Sequence, residues 1–178
     1  MKYPAALLSI MILLLFGFSY KEAQPAHNQI NKQATAENLL KSSDNFKANL
    51  IGKEEVPPVM TKAQGEAVFN LGKNDKSIHY KITVSDLENV NMAHIHEGAY
   101  GSDGPIVVWL YPAAPPAKLI SGKTNGVLVE GTITSENLAG PLKGKTLKDL
   151  INVIKSGNAY VNVHTLQNPA GEIRGQIK

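Results

Sequence analysis

The residues with the most distinctive chemistry are two histidines separated by a single position. His94 and His96 lie in the run Ala93-His94-Ile95-His96-Glu97-Gly98. If this run is a strand, alternate side chains point to the same face and the two Cα atoms are about 6.7 Å apart. Two imidazoles at that spacing can converge on one metal ion, so the pair is a candidate metal-binding motif.

A second run near the C-terminus supplies a third histidine. Alternation along residues 159–165 places Tyr160, Asn162 and His164 on one strand face. Three imidazoles from two strands are a ligand set that suits copper or zinc, and Tyr160 and Asn162 are then candidates to orient them. The alternative is structural, with the imidazoles donating to backbone carbonyl groups and no ion present. The spacing alone leaves both interpretations open.

Two charged side chains are expected close to these histidines. Glu97 is predicted as a further ligand or as an acceptor that orients an imidazole, the alternative being an exposed loop acid. If the last two strands form a hairpin, Arg174 lies beside residues 160–164 of the partner strand. There Arg174 could stack or hydrogen-bond beside the histidines, or bind an anion. The alternative is a contact with Glu172 or with the backbone that fixes the hairpin.

The sequence offers no pattern for covalent or acid–base catalysis. It has no cysteine, no Gly-x-Ser-x-Gly elbow and no glycine-rich phosphate loop, so no catalytic residue is assigned. The formal net charge of +3 is small, and the Lys and Arg residues do not cluster. Nucleic acid and anionic membrane surfaces are therefore not expected as partners.

Most of the chain from residue 46 onward shows the period-two alternation of strands. His79 alternates with apolar residues and is expected to face solvent. Residues 146–156 instead carry apolar side chains at i, i+3, i+4 and i+7, with Thr146 able to cap the start of a helix and Gly157 its end. Many short strands with one late helix predict an antiparallel sandwich or barrel. The predicted strands are residues 46–50, 66–71, 78–84, 90–96, 106–111, 127–133, 159–165 and 172–177.

The first 23 residues have the order of a secretory signal: a positive residue, an apolar run from Ala5 to Phe18, and a polar exit. The apolar run is shorter than the roughly 20 residues that a helix needs to span a bilayer. A cleaved signal is therefore predicted, with cleavage after Ser19 or after Ala23. An uncleaved N-terminal anchor is the alternative, and it is the one expected contact with a membrane.

The signal predicts export of the remaining chain. Residues 24–43 are predicted to be a polar linker and residues 44–178 the folded domain, located in the periplasm, at the cell surface or in the secreted fraction. Since there is no cysteine, the domain has no disulfide and no lipoprotein attachment site, and it must be held by its own core.

Four sequence blocks together resemble the CHRD (chordin-type) domain family, and they occur in the family's order over residues 46–178. The resemblance implies an extracytoplasmic, all-β, immunoglobulin-like sandwich of Greek-key type. It also makes the three histidines motif positions. The blocks are Glu54-Glu55-Val56-Pro57-Pro58-Val59, residues 93–98 with Gly104-Pro105, residues 157–165, and residues 168–177.

Three functional interpretations follow. The first is a binding module that holds a copper or zinc ion at the three histidines. The second is a metal-free adhesion or protein-interaction module, whose partner is an unknown protein or cell-surface molecule. The third is a redox enzyme, since the His-Ile-His-Glu run is similar to the copper strand of Cu/Zn superoxide dismutase; the lack of a bridging histidine and of a histidine-rich zinc loop argues against it. Growth-factor antagonism, which chordin exerts with cysteine-rich modules, is not carried over to a chain without cysteine.

Overall fold

Seven β-strands, one α-helix and three short 3₁₀ turns form the part of the chain that this computed structural model describes, residues 45–72 and 76–178. The predicted signal and the linker 24–43 lie outside the described residues. Within those residues, no helix has the length and apolar character that crossing a bilayer requires. The elements are β1 (Asn45–Ile51), β2 (Gln64–Leu71), β3 (Ile78–Glu97), β4 (Ile106–Tyr111), β5 (Ile120–Ile133), α1 (Leu147–Lys155), β6 (Ala159–Thr165) and β7 (Ile173–Gln176).

The strands pair antiparallel into a closed ring. β1 pairs with β2, β2 with the first half of β3, and the second half of β3 with β6. β6 then pairs with β7, which returns to β1 through the pair Arg174–Ile51. The result is a closed five-stranded barrel. β5 pairs with the first half of β3 on the side away from β2, and β4 pairs with the second half on the side away from β6.

The long strand β3 makes this arrangement possible. It is 20 residues long and bends at a position where the sequence pattern predicts a break between two strands. Asp86 and Asn89 have positive φ angles of 55° and 53°, and the pairing with β5 shifts register across each of them. Asp and Asn enter this left-handed conformation more readily than other non-glycine residues. The chain therefore changes partners here without ending the strand.

The predicted class, an antiparallel all-β domain with one short late helix, is confirmed. The expected sandwich would have two separate sheets. Instead, β3 pairs with β2 and with β6, and β7 pairs with β6 and with β1, so all the strands belong to one continuous sheet. The helix has the predicted ends. The Asp149 carboxylate accepts hydrogen bonds from the backbone N–H and the hydroxyl of Thr146, at 2.8 and 2.7 Å, and Gly157 follows the helix with a φ of +74°.

β6 is buried on both of its faces. All seven of its residues are buried, whereas β1 alternates buried and exposed side chains. One face packs into the apolar core, where Val161 lies opposite Ile95 of β3. The other face carries Tyr160, Asn162 and His164 and is also covered. The polar side chains of this second face must therefore make their hydrogen bonds inside the protein.

Truncation of a core residue tests this assignment. Ile95 has no exposed surface, so Ile95→Ala should lower the free energy of unfolding by about 2–5 kcal/mol. Val127 of β5 is 51% exposed, and Val127→Ala should change it by less than about 0.5 kcal/mol. Chemical denaturation of both variants measures the difference. Equal losses would show that the apolar core is assigned wrongly.

Candidate metal centre

Residues that lie directly opposite one another on neighbouring strands form rows across the sheet, and these rows bring the histidines together on the covered polar face. One row crosses four strands and takes one side chain from each: Trp109, His94, Asn162 and Arg174. The row on one side of it places His96 opposite Tyr160, and the row on the other side places His164 opposite Met92. The predicted face of β3 and the predicted face of β6 thus meet as neighbours.

The three imidazoles, called the histidine group below, lie close together. His94 Nδ1 is 3.1 Å from His164 Nε2, and one ring nitrogen from each of His94, His96 and His164 lies within 4.8 Å of the others. Their exposed fractions are only 1%, 9% and 7%. Among the described residues, no carboxylate joins this group.

Backbone carbonyl groups fix the tautomer of two of the rings. His96 Nδ1 lies 2.9 Å from the Gly104 carbonyl oxygen, and His164 Nδ1 lies 3.1 Å from that of Pro169. A carbonyl oxygen only accepts hydrogen bonds, so in the neutral rings both Nδ1 atoms carry the proton and donate it. Both Nε2 atoms therefore keep a lone pair. Histidines that ligate metals are held by bonds of this kind.

Two ring nitrogens of the histidine group are left without a partner. His164 Nε2 accepts from His94 Nδ1–H, which assigns the proton of His94 to Nδ1 as well. The Nε2 atoms of His94 and of His96 are buried and have no hydrogen-bond partner. Buried polar atoms are nearly always satisfied, and an unpaired one often indicates a bound water or ion.

The dimensions of the histidine group fit a metal ion after a small adjustment. With bonds of about 2.0–2.1 Å, the nitrogens around a tetrahedral zinc ion lie about 3.3 Å apart. The 3.1 Å between His94 Nδ1 and His164 Nε2 is already close to that spacing, and these two nitrogens can both bind an ion once the proton of His94 has moved from Nδ1 to Nε2. The ligand nitrogens of all three rings lie within 4.8 Å of one another, so an ion would require the remaining pairs to move closer together.

A stack of planar groups supports His96. The Tyr160 ring lies parallel to the imidazole, with the centroids 4.8 Å apart and 9° between the planes. The guanidinium carbon of Arg174 lies 3.5 Å from the Tyr160 ring centroid. The Tyr160 hydroxyl accepts a hydrogen bond of 3.1 Å from the Gly104 N–H. Gly104 thus holds both rings, the imidazole through its carbonyl and the phenol through its N–H.

The buried charge of Arg174 is matched from the loop between β3 and β4. Arg174 is 2% exposed, and it donates from Nη1 to Asp103 Oδ1 at 3.0 Å and from Nη2 to the Ser102 carbonyl oxygen at 2.6 Å. The alternative contact with Glu172 is not formed, because the Glu172 carboxylate accepts from two threonine hydroxyls instead. Arg174 therefore stacks beside the histidine group and anchors the loop that covers it.

Glu97 is not brought to the histidine group. It follows His96 directly, so its side chain points to the opposite face of β3. Its backbone N–H donates to the Pro105 carbonyl oxygen at 3.0 Å. His79 is exposed, as predicted, and its ring forms a hydrogen bond of 2.9 Å with the Thr132 hydroxyl.

Comparison with known proteins identifies the family. A family model described as the CHRD domain matches residues 46–177. The chain belongs to the CHRD domain family. Chordin of Danio rerio is similar to it, with 29% identity over 121 residues, which cover 68% of this chain and 12% of chordin. The chain therefore spans a small part of that relative's length. No solved structure was found to match.

Three further side chains lie at the site, and the sequence did not predict them there: Glu55, Asp103 and Trp109. The Glu55 carboxyl accepts a hydrogen bond of 3.0 Å from Asn162, and the Trp109 ring packs edge-on against His94 with the centroids 4.3 Å apart. Glu55 carried a signal, since it lies in the first block of the family resemblance. Asp103 and Trp109 lie in segments that show only turn and strand patterns.

Burial keeps the histidine group neutral. Loss of hydration, together with the neighbouring imidazoles, lowers the pKa of His94 to about 3. Loss of hydration also lowers the pKa of His164 to about 4 and moves the pKa of His96 below its usual value. Glu55 shifts in the opposite sense, because burial raises its pKa to about 7. At neutral pH the three imidazoles are free bases.

The stability of the metal-free domain should depend on these shifts. Between pH 6.5, the ordinary histidine pKa, and the lowered pKa in the folded domain, a histidine binds a proton in the unfolded chain but not in the folded domain. This pH interval extends down to about 3 for His94 and to about 4 for His164. The free energy of unfolding should therefore fall as the pH is lowered through this interval, by up to about 1.4 kcal/mol per pH unit for each shifted group. Chemical denaturation in the presence of a chelator measures it.

Two substitutions separate the histidine group from other titrating residues. His164→Gln should reduce the slope of stability against pH, because one shifted group is removed. The exposed His79 provides the matched control, and His79→Gln should leave the slope unchanged. A slope that is the same in all three proteins would contradict the assignment.

Proposed function

We propose that this CHRD domain binds one copper or zinc ion, outside the cytoplasm, through His94, His96 and His164. The observation that carries the proposal is the pair of buried Nε2 atoms, on His94 and His96, that no protein group satisfies. A buried acceptor without a partner costs about 1–3 kcal/mol. Donation of both lone pairs to an ion would remove that cost.

The chain's own residues prepare the rings for this role. The carbonyl groups of Gly104 and Pro169 hold the Nδ1–H of His96 and of His164, which leaves Nε2 of each ring for a ligand bond. His94 offers its free Nε2, in which case its Nδ1–H must release His164 Nε2 for the ion, or it offers Nδ1 once the proton has moved to Nε2. Because a metal binds the neutral imidazole, the lowered pKa values of the three rings favour binding at neutral pH.

The donor set supports copper or zinc over other common ions. Imidazole nitrogen suits zinc and copper, whereas magnesium and calcium prefer oxygen ligands. Three nitrogens leave a fourth position of a tetrahedral ion to water or to another group. The predicted export signal and the similarity to part of chordin support a location outside the cytoplasm.

A metal-free protein-interaction module is the second candidate, and one observation favours it. The hydrogen bond from His94 to His164, with those to Gly104 and Pro169, already joins two strands and two loops without an ion. The partner would then be a protein or a cell-surface molecule bound elsewhere on the domain. A dismutase-type enzyme is not proposed, because its substrate must reach the ion while the Nε2 atoms of His94 and His96 are buried.

Metal retention by the purified protein tests the proposal. After loading with copper or zinc and dialysis, the protein should keep about one ion per chain. Trp109 is the chain's only tryptophan and its ring lies 4.3 Å from His94, so copper(II) should quench its fluorescence. His96→Ala should weaken binding by more than about 100-fold, since even supporting residues of metal sites contribute 10–100-fold.

The control for this experiment is His79→Ala, which removes an exposed histidine and should leave the stoichiometry unchanged. If the wild type and a His94→Ala/His96→Ala double variant retain the same small amount of metal, the metal proposal fails. The interaction module then becomes the better account of the histidine group.

A further inference from the structure

A carboxyl group and an amide are paired next to the histidine group, and each has one oxygen without a partner. Glu55 is 5% exposed, and its Oε2 accepts a hydrogen bond of 3.0 Å from Asn162 Nδ2. The second oxygen of each group, Glu55 Oε1 and Asn162 Oδ1, is buried and has no donor. Both unsatisfied oxygens thus belong to one hydrogen-bonded pair.

Gly171 packs against this pair. A Cβ atom placed on this glycine would lie 2.5 Å from both Oδ1 and Nδ2 of Asn162 and 2.7 Å from Glu55 Oε1. Both unsatisfied oxygens therefore approach the same point on the backbone of the turn before β7. The φ angle of Gly171 is +138°, which residues with a side chain rarely adopt, so the close approach of the backbone depends on glycine.

A single proton satisfies both oxygens. A planar carboxyl group and a planar carboxamide can form two parallel hydrogen bonds, one donated by the amide N–H and one by the acid O–H. If the carboxyl group were ionised, its free oxygen and the amide oxygen would be two acceptors with no hydrogen between them. We propose that Glu55 is protonated in the folded domain, with its Oε1–H donating to Asn162 Oδ1, and that it is a positioning residue of the histidine group.

The charged groups that face Glu55 leave it without a dedicated counter-ion. Arg174 of β7 favours the ionised form, but its guanidinium group is bound to Asp103 and to the Ser102 carbonyl oxygen. Asp103 and Glu172 disfavour ionisation. Burial outweighs Arg174 and raises the pKa of Glu55 to about 7, in agreement with the proton that the geometry requires.

The pair positions an amide at the centre of the polar face. Asn162 lies directly opposite His94 on one side and Arg174 on the other. Because Nδ2 of Asn162 donates to Glu55, the amide is fixed toward the segment after β1, beside His94 on the neighbouring strand. This role of Glu55 does not depend on whether a metal ion binds.

The proton on Glu55 adds a pH dependence opposite in sign to that of the histidines. Between the ordinary value of 4.5 and about 7, the folded domain holds a proton that the unfolded chain has released. Glu55 therefore stabilises the fold at low pH, and this contribution is lost as the pH rises through the interval. Glu55→Gln keeps a donor and an acceptor without the proton. As the pH rises through the interval, the wild type loses this stabilisation and Glu55→Gln does not. The unfolding equilibrium constant of Glu55→Gln, divided by that of the wild type, should therefore fall by up to about tenfold per pH unit.

Infrared spectroscopy of the full metal-free protein tests the proton directly. At a pH of about 6, where ordinary carboxyl groups are ionised, the wild type should show the C=O stretch of a protonated carboxylic acid. This band should be absent from Glu55→Gln and should titrate away near the pKa of about 7. Glu54→Gln is the matched control and should keep the band, because the Glu54 carboxylate accepts from the Tyr100 hydroxyl at the surface.

Two results would overturn the proposal. One is the absence of the band from the wild type at a pH of about 6, or its persistence in Glu55→Gln. The other is a stability difference between wild type and Glu55→Gln that stays constant across the interval. The wild-type spectrum decides the question even if the variant fails to fold, and no metal is present, so the outcome is separate from that of the metal-binding experiment.

Discussion

Burial of β6 on both faces is the constraint on which the rest of the structure depends. A strand with an apolar face in the core and Tyr160, Asn162 and His164 on its other face needs a second, polar layer to cover it. The neighbouring strands β3 and β7 extend the polar face of β6 within the sheet. The loops that contain Gly104 and Pro169 contact this face, and these parts together form the polar layer. Its polar groups must find partners within the protein, because each buried polar group without one costs about 1–3 kcal/mol.

The polar layer meets this constraint by staying close to electrical neutrality. Burial lowers the pKa values of the histidine group and raises that of Glu55, so both kinds of side chain favour their uncharged forms. The buried guanidinium of Arg174 is matched by Asp103 at the surface. The two kinds of shift act on stability in opposite directions as the pH falls. Four buried atoms of this layer have no partner, the Nε2 atoms of His94 and His96 together with Glu55 Oε1 and Asn162 Oδ1, and the proton proposed on Glu55 would satisfy the last two.

Sequence patterns predicted what lies along a strand better than what meets across the fold. Alternation placed the three histidines on faces that the barrel brings together, and the bounds of β4 and β6 agree with the prediction. The bend at Asp86 and Asn89 has the composition of a turn, so β3 was predicted as two strands. Glu55 and Asp103 reach the polar layer from loops. Their paths are set by tertiary packing, which periodicity does not report, and neither was therefore assigned to the site.

Anomalous diffraction from crystals grown with copper or zinc tests most directly whether the histidine group is a metal site. Data collected on both sides of the absorption edge locate the ion independently of any assumption about its ligands. An ion held by the histidine group should give one strong peak at about 2.0–2.1 Å from a ring nitrogen of each of His94, His96 and His164. A metal-loaded crystal with no peak at these residues, or with its main peak at the exposed His79, would contradict the metal site.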